Sequence, residues 1–160
     1  MAWIRLDRDE MAPALPPLID PDGETVQLSE QRGKASVVLL LCPHPDGKGC
    51  ALALRQLSAV IEEIVAEDAF AFAIMPGARP ADLPLTPIPA LLDRGGSFRA
   101  ALAALLEFDT SGLPLLYILD DEGRPVQAWV GALGHLAEPG EDLGRAALSR
   151  LQRAALRCPE

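Results

Sequence analysis

The first clear pattern lies at residues 15–28, LPPLIDPDGETVQL, where two short apolar runs flank Pro21, Asp22 and Gly23. Proline presets one backbone dihedral of a turn and glycine accepts the positive one, so the stretch predicts a β-hairpin. A polar break over residues 29–34, containing Gly33, leads into SVVLLLC at residues 36–42. That continuous, β-branched apolar run predicts a strand buried on both faces, as central parallel strands are. From Cys50 the apolar positions fall at Cys50, Leu54, Leu57, Ile61 and Ile64, with Glu62, Glu63 and Glu67 off the stripe. Such spacing predicts one amphipathic helix with Cys50 in its first turn.

AFAFAIM at residues 69–75 predicts a second buried strand, closing a βαβ unit. Residues 76–89 hold five prolines, which exclude helix and central strand and predict a stiff loop within one domain. A short helix over residues 97–106, a strand over 115–119, a turn over 120–123, a strand over 125–130 and an amphipathic helix over 141–156 complete the chain. The simplest way to bury these elements is an α/β fold, a central mixed β-sheet with helices on both faces and an N-terminal β-hairpin.

Bulk properties narrow the function classes. The 160 residues are enough for one domain with its own core, so the expectation is a single domain over 1–160. A formal charge of -9 without a basic cluster argues against a nucleic-acid or anionic-membrane partner. The chain start, MAWIRLDRDEM, is charged within ten residues and the longest apolar run is far short of the ~20 residues that span a bilayer, so the expectation is a cytoplasmic protein. Three cysteines in a chain that needs no staple predict reduced thiols.

The segment CPHPDGKGC at residues 42–50 concentrates the chemistry. A thiolate at Cys50 would meet the unpaired N–H groups and positive dipole end of the helix, with Lys48 adding a cation. It could attack a peroxide oxygen and become a sulfenic acid, or it could be a small apolar residue of the helix stripe. Cys42 ends a buried strand in line with Val38 and Leu40, which reads as an inert core thiol, while a Cys42–Cys50 disulfide requires their Cα atoms within about 7 Å. His44 reads as an exposed loop residue able to tune Cys50 by its charge, and Asp46 as the helix N-cap. Cys42, His44, Asp46 and Cys50 are metal-ligand types in a spacing that fits no zinc pattern, and no metal or cofactor is implied. Asp120, Asp121 and Glu122 read as turn residues, Asp being favoured there for hydrogen bonds to its own backbone.

The element order, the cysteine at the first helix and Gly112-Leu113-Pro114 before a late strand resemble a thioredoxin fold. More specifically, Ala12-Pro13, LIDPDGETVQLSEQRGK, VVLLLCPHPDGKGC, PALLDRGGSFRAAL and LYILDDEGRPV resemble, in order and over residues 12–131, the peroxiredoxins, the alkyl hydroperoxide reductase and thiol-specific antioxidant family. The family motif Pro-x-x-x-Thr-x-x-Cys falls on Pro43, Gly47 and Cys50, so the threonine that helps position peroxide is a glycine here. The family's arginine falls at or beside Pro114, which instead resembles the thioredoxin proline, usually preceded by a cis peptide bond.

The resemblance implies a thiol-dependent redox protein that reduces hydroperoxides or exchanges disulfides, with Cys50 as nucleophile, Pro43 shaping the loop and Pro114 facing the thiol. The active-site loop would comprise His44, Asp46, Gly47, Lys48 and Gly49. Cys158 or Cys42 would be the resolving thiol, a thiol reductant the partner, and a homodimer is common in the family. The competing class is a non-catalytic interaction module that kept the fold after losing peroxidase chemistry.

Overall fold

The computed structural model describes residues 2–6, 14–31, 34–44, 50–77, 86–131 and 142–156. The strands are β1 (Ala2–Arg5), β2 (Leu18–Ile19), β3 (Thr25–Val26), β4 (Ser36–Leu41), β5 (Ala69–Pro76), β6 (Ala90–Asp93), β7 (Leu115–Leu119) and β8 (Pro125–Val130). The helices are α1 (Ala51–Ala59), α2 (Ile61–Ala66), α3 (Ser97–Ala103) and α4 (Leu143–Leu156). All eight strands form one sheet in the order β1-β8-β7-β4-β5-β6-β2-β3. β4 lies at its centre, parallel to β5 and antiparallel to β7. The parallel β4–β5 pair needs a crossover, which α1 and α2 make.

The alternation of side chains along β4 divides the core into two layers. Val38 and Leu40 face α1, α2 and α4 through Leu54, Leu57, Ile64, Leu143, Ala147 and Leu151. Val37, Leu39 and Leu41 face α3 through Phe98 and Leu102, with Tyr117 of β7 in the same layer. Every strand residue from Val37 to Leu41 is buried, as the unbroken apolar run requires.

The two hairpin turns share one construction. Asp20 Oδ1 accepts from the N–H groups of Asp22 and Glu24, and Asp120 Oδ1 accepts from those of Glu122 and Arg124. Gly23 and Gly123 follow with φ of 86° and 80°, the left-handed region where a Cβ is costly. The turn reading of Asp120 therefore stands.

Three features differ from the sequence expectation. The β2–β3 hairpin is preceded by β1, a four-residue edge strand whose partner is β8. β6 emerges directly from the proline-rich run and pairs parallel with β5. The first helix also breaks at Val60, where φ is -117° and ψ 13°, so the buried position moves from Ile61 to Val60. The start of α4 docks at that break: Gly144 lies against the Gln56 carbonyl and the Val60 side chain, and the Leu143 N–H donates to Gln56 Oε1 at 2.9 Å.

Candidate functional site: a disulfide between a strand end and a helix start

Cys42 follows the last residue of β4 and extends its ladder, its N–H donating to the Ile74 carbonyl at 2.9 Å. Alternation turns its side chain into the layer of Val38 and Leu40, where it is 2% exposed. Cys50 occupies the N-cap of α1, its carbonyl accepting from the Leu54 N–H at 2.9 Å, and is 0% exposed. The strand end and the helix start bring the two Cα atoms to 5.6 Å, and the sulfurs are joined in a disulfide. The expectation of reduced thiols is corrected for this pair, whose Cα separation lies within the ~7 Å that a disulfide requires. The two cysteines lie only eight residues apart in sequence, and β4 and α1 converge at the same end of the sheet.

The helix start also shifts. Asp46 was expected to cap a helix with Cys50 in its first turn, but Cys50 itself is the N-cap. Gly47 and Gly49 make poor helix residues because ordering them costs the most backbone entropy. Asp46, Gly47, Lys48 and Gly49 lie outside the described residues, as does Cys158. Pro43 is half-buried and His44 exposed. The first turn of α1 carries no acidic side chain to oppose the positive helix end beside the disulfide.

Pro114 is buried immediately before β7. The β4–β7 register pairs Leu41 with Leu115 and Leu40 with Leu116; one residue further it sets Cys42 opposite Pro114. No described peptide bond is cis, so Leu113–Pro114 is trans and differs here from the thioredoxin proline.

Arg99 and Arg124 make their contacts away from the disulfide. Arg99 Nη2 donates to the carbonyls of Thr110 and Leu113 on the α3 side of the sheet, and burial pulls its pKa down while nearby Tyr117 and Asp93 push it up. Arg124 pairs with Asp120 and Glu122 at the β7–β8 turn, the end of β7 remote from Cys42. Arg55 and Arg94 are exposed. No group of three or more His, Cys, Asp or Glu able to hold a metal occurs among the described residues.

Three residues lie in segments read from the sequence, but their roles at the site or beside it were not. Met75, fully buried, takes the β5 position beside Cys42. Trp129, also fully buried, shares the layer of the disulfide from β8. Asp93, 3% exposed, caps α3 by accepting from the Phe98 and Arg99 N–H groups at 2.9 Å each. For Met75 and Trp129 the signal was present as strand parity, which counts outward from Cys42 once the strand order is known.

No family model and no curated protein sequence matches the chain. Solved structures do. Peroxiredoxin Q of Xanthomonas campestris superposes with a TM-score of 0.71 at 20% identity, covering 93% of this chain and 99% of its own. A putative thiol:disulfide interchange protein DsbE from Chlorobium tepidum gives 0.65 at 19%, covering 94% and 99%. The exposed lipoprotein thioredoxin of Streptococcus pneumoniae gives 0.61 at 20%, covering 86% and 98%. At these identities the likeness is one of fold, and the fold is thioredoxin-like, of the kind that peroxiredoxins and thiol:disulfide interchange proteins share.

Proposed function

We propose that the protein is a thiol-dependent redox protein in which Cys50 is the nucleophile and Cys42 the resolving thiol. The observation that carries this reading is the Cys42–Cys50 disulfide, which ties the helix start that best supports a thiolate to the neighbouring strand end. The Cys50 thiolate attacks a hydroperoxide oxygen: an S–O bond forms, the O–O bond breaks, and the alcohol leaves with a proton. The Cys42 thiolate then attacks the Cys50 sulfur, forming the S–S bond and releasing water. With a disulfide as substrate, Cys50 forms a mixed disulfide that Cys42 resolves in the same way. An external dithiol restores both thiols by two exchanges.

Disulfide exchange is the better supported substrate class. Gly47 supplies no hydroxyl for a peroxide, Arg99 Nη2 is held by the carbonyls of Thr110 and Leu113, and the Arg124 guanidinium pairs with Asp120 and Glu122. Pro43 shapes the loop and Pro114 flanks Cys42. The thiol reductants of the cytoplasm would return the pair to its dithiol form.

One observation favours the competing reading, a non-catalytic interaction module: both sulfurs belong to fully or almost fully buried residues, as in a structural disulfide. The test follows thiol loss after reduced protein meets either a hydroperoxide or a small disulfide. The redox reading expects oxidation faster than that of free cysteine, abolished in Cys50→Ser. It also expects Cys42→Ser to accumulate a sulfenic acid or mixed disulfide on Cys50. Oxidation no faster than free cysteine with either oxidant would overturn it and favour the module.

A further inference from the structure

Cys42 has a wall beside it. The β7–β8 register pairs Leu115 with Val130 and, one residue on, sets Pro114 opposite Gly131, whose N–H donates to the Pro114 carbonyl at 2.9 Å. The row Cys42, Pro114, Gly131 thus lies across three strands at the disulfide end of the sheet. Leu40, Leu116 and Trp129 form the next row on the same face of the sheet. The six-membered ring of Trp129 reaches over Gly131 into the first row. A Cβ at residue 131 would stand 2.6 Å from Pro114 Cγ, 2.7 Å from Trp129 Cη2 and 3.1 Å from Trp129 Cζ3. Neither neighbour can swing aside, since the proline ring is tied to its own backbone and the indole is enclosed on every side.

We infer that Gly131 is a positioning residue for the redox pair: its missing side chain lets Trp129 pack against Pro114, and this wall sets the dithiol–disulfide equilibrium of Cys42 and Cys50. The inference rests on the exchange chemistry proposed above and concerns its poise. The oxidised pair must hold its Cα atoms at 5.6 Å, whereas two free thiols need not. A methyl group at residue 131 presses the wall towards Cys42, and the constrained form suffers more. Gly131→Ala therefore favours reduction.

The experiment equilibrates the protein with mixtures of reduced and oxidised dithiothreitol and counts protein thiols by alkylation. Two electrons and two protons pass to the protein as the Cys42–Cys50 bond breaks and a cyclic disulfide forms in the dithiothreitol. Gly131→Ala is expected to reach its midpoint at about a tenfold lower ratio of reduced to oxidised reagent, or ~30 mV for a two-electron couple. Adding Trp129→Phe, which removes the ring edge that meets the methyl, should move the midpoint back towards wild type. Gly123→Ala strains the distant hairpin through its φ of 80° and should lower stability without moving the midpoint. In Trp3→Phe, Trp129 is the one remaining tryptophan of two, and its emission should change on reduction.

An unmoved midpoint in Gly131→Ala, an equal shift in Gly123→Ala, or failure of Trp129→Phe to restore the midpoint would each overturn the inference. If Gly131→Ala does not fold, Trp129→Phe alone decides, because it opens the same wall from the other side. A displaced midpoint then supports the wall and an unchanged one overturns it. A wild-type pair that does not titrate contradicts the exchange chemistry itself, whereas a wild-type pair that titrates beside an unmoved Gly131→Ala contradicts only the positioning role.

Discussion

Reducing the disulfide should weaken the whole fold by an amount its loop length sets. The pair closes a sequence separation of eight residues. Chain-entropy theory assigns such a crosslink a loss of about 8 cal/mol/K in the unfolded chain, or about 2.5 kcal/mol at room temperature. The reduced native state keeps its packing, because two thiols are small apolar groups in an apolar layer. Nearly the full effect should therefore appear in stability. With a urea slope of roughly 2 kcal/mol/M, the midpoint falls by about 1 M on reduction, and Tm falls by roughly 5–10 °C. The assay is urea unfolding followed by circular dichroism, with and without excess reductant, in a Cys158→Ser background so that no third thiol exchanges. Alkylation and mass measurement verify the redox state of each sample. A fall below about 0.3 M between verified oxidised and reduced forms at equal slope would refute the argument, since the crosslink would then not restrict the unfolded chain as its length demands.

Other consequences follow from the packing. Asp93→Ala removes a buried carboxylate that accepts two N–H groups at the start of α3, and should cost about 2–4 kcal/mol of unfolding free energy, with Asp93→Asn costing less. Gly144→Ala puts a methyl against the Gln56 carbonyl and the Val60 side chain, so α4 should be pushed from α1 at a cost of about 1–3 kcal/mol, read as a lower urea midpoint and faster amide exchange in α4. Tyr117 is the one tyrosine of the chain, fully buried, with its hydroxyl donating to the Leu102 carbonyl at 2.7 Å. Burial, opposed only partly by Arg99, raises its pKa well above the usual value. The folded state therefore holds this proton when the unfolded state has lost it. The stability it contributes is complete below about pH 10 and declines as pH rises further. Phenolate absorbance should appear only with unfolding, and Tyr117→Phe should remove that part of the alkaline decline. Phenolate formation at the ordinary pKa in the folded protein would contradict this.

How much of this was legible in the sequence depended on the range of the interaction that decided each feature. β4 and β7 announce themselves because burial on both faces demands an unbroken apolar run, β5 by its apolar run and β8 by the turn before it. The two turns announce themselves because Asp and Gly act on the backbone within four residues. β1 and β6 do neither. AWIR and ALLD are too short to carry a period, and become strands through β8 and β5 respectively. The break at Val60 contains no proline or glycine, and coincides with the docking of α4 more than eighty residues later. The capping role of Asp93 hid for a different reason. Its carboxylate accepts from residues five and six positions ahead, which the positive φ of Gly95 and Gly96 makes reachable, whereas sequence patterns for caps look two or three ahead.

The site follows the same logic. From sequence, Cys50 carries the chemistry and Cys42 belongs to the core, because each is judged by its own element. The fold makes them one unit, since the element that buries Cys42 also brings it to the start of the helix that would activate Cys50. Pro114 and Gly131 then follow by arithmetic. Along an antiparallel ladder without a bulge the partner numbers sum to a constant, so the Leu41–Leu115 pair sends Cys42 to Pro114, and the Leu115–Val130 pair sends Pro114 to Gly131. Strand order is the missing premise, and periodicity does not supply it. A glycine at residue 131 looks like an ordinary strand end until the register shows which two rings its missing side chain accommodates. If Cys42 is the resolving thiol, the residues that tune its partnership with Cys50 are to be sought along this row across the sheet, not along the loop that joins the two cysteines.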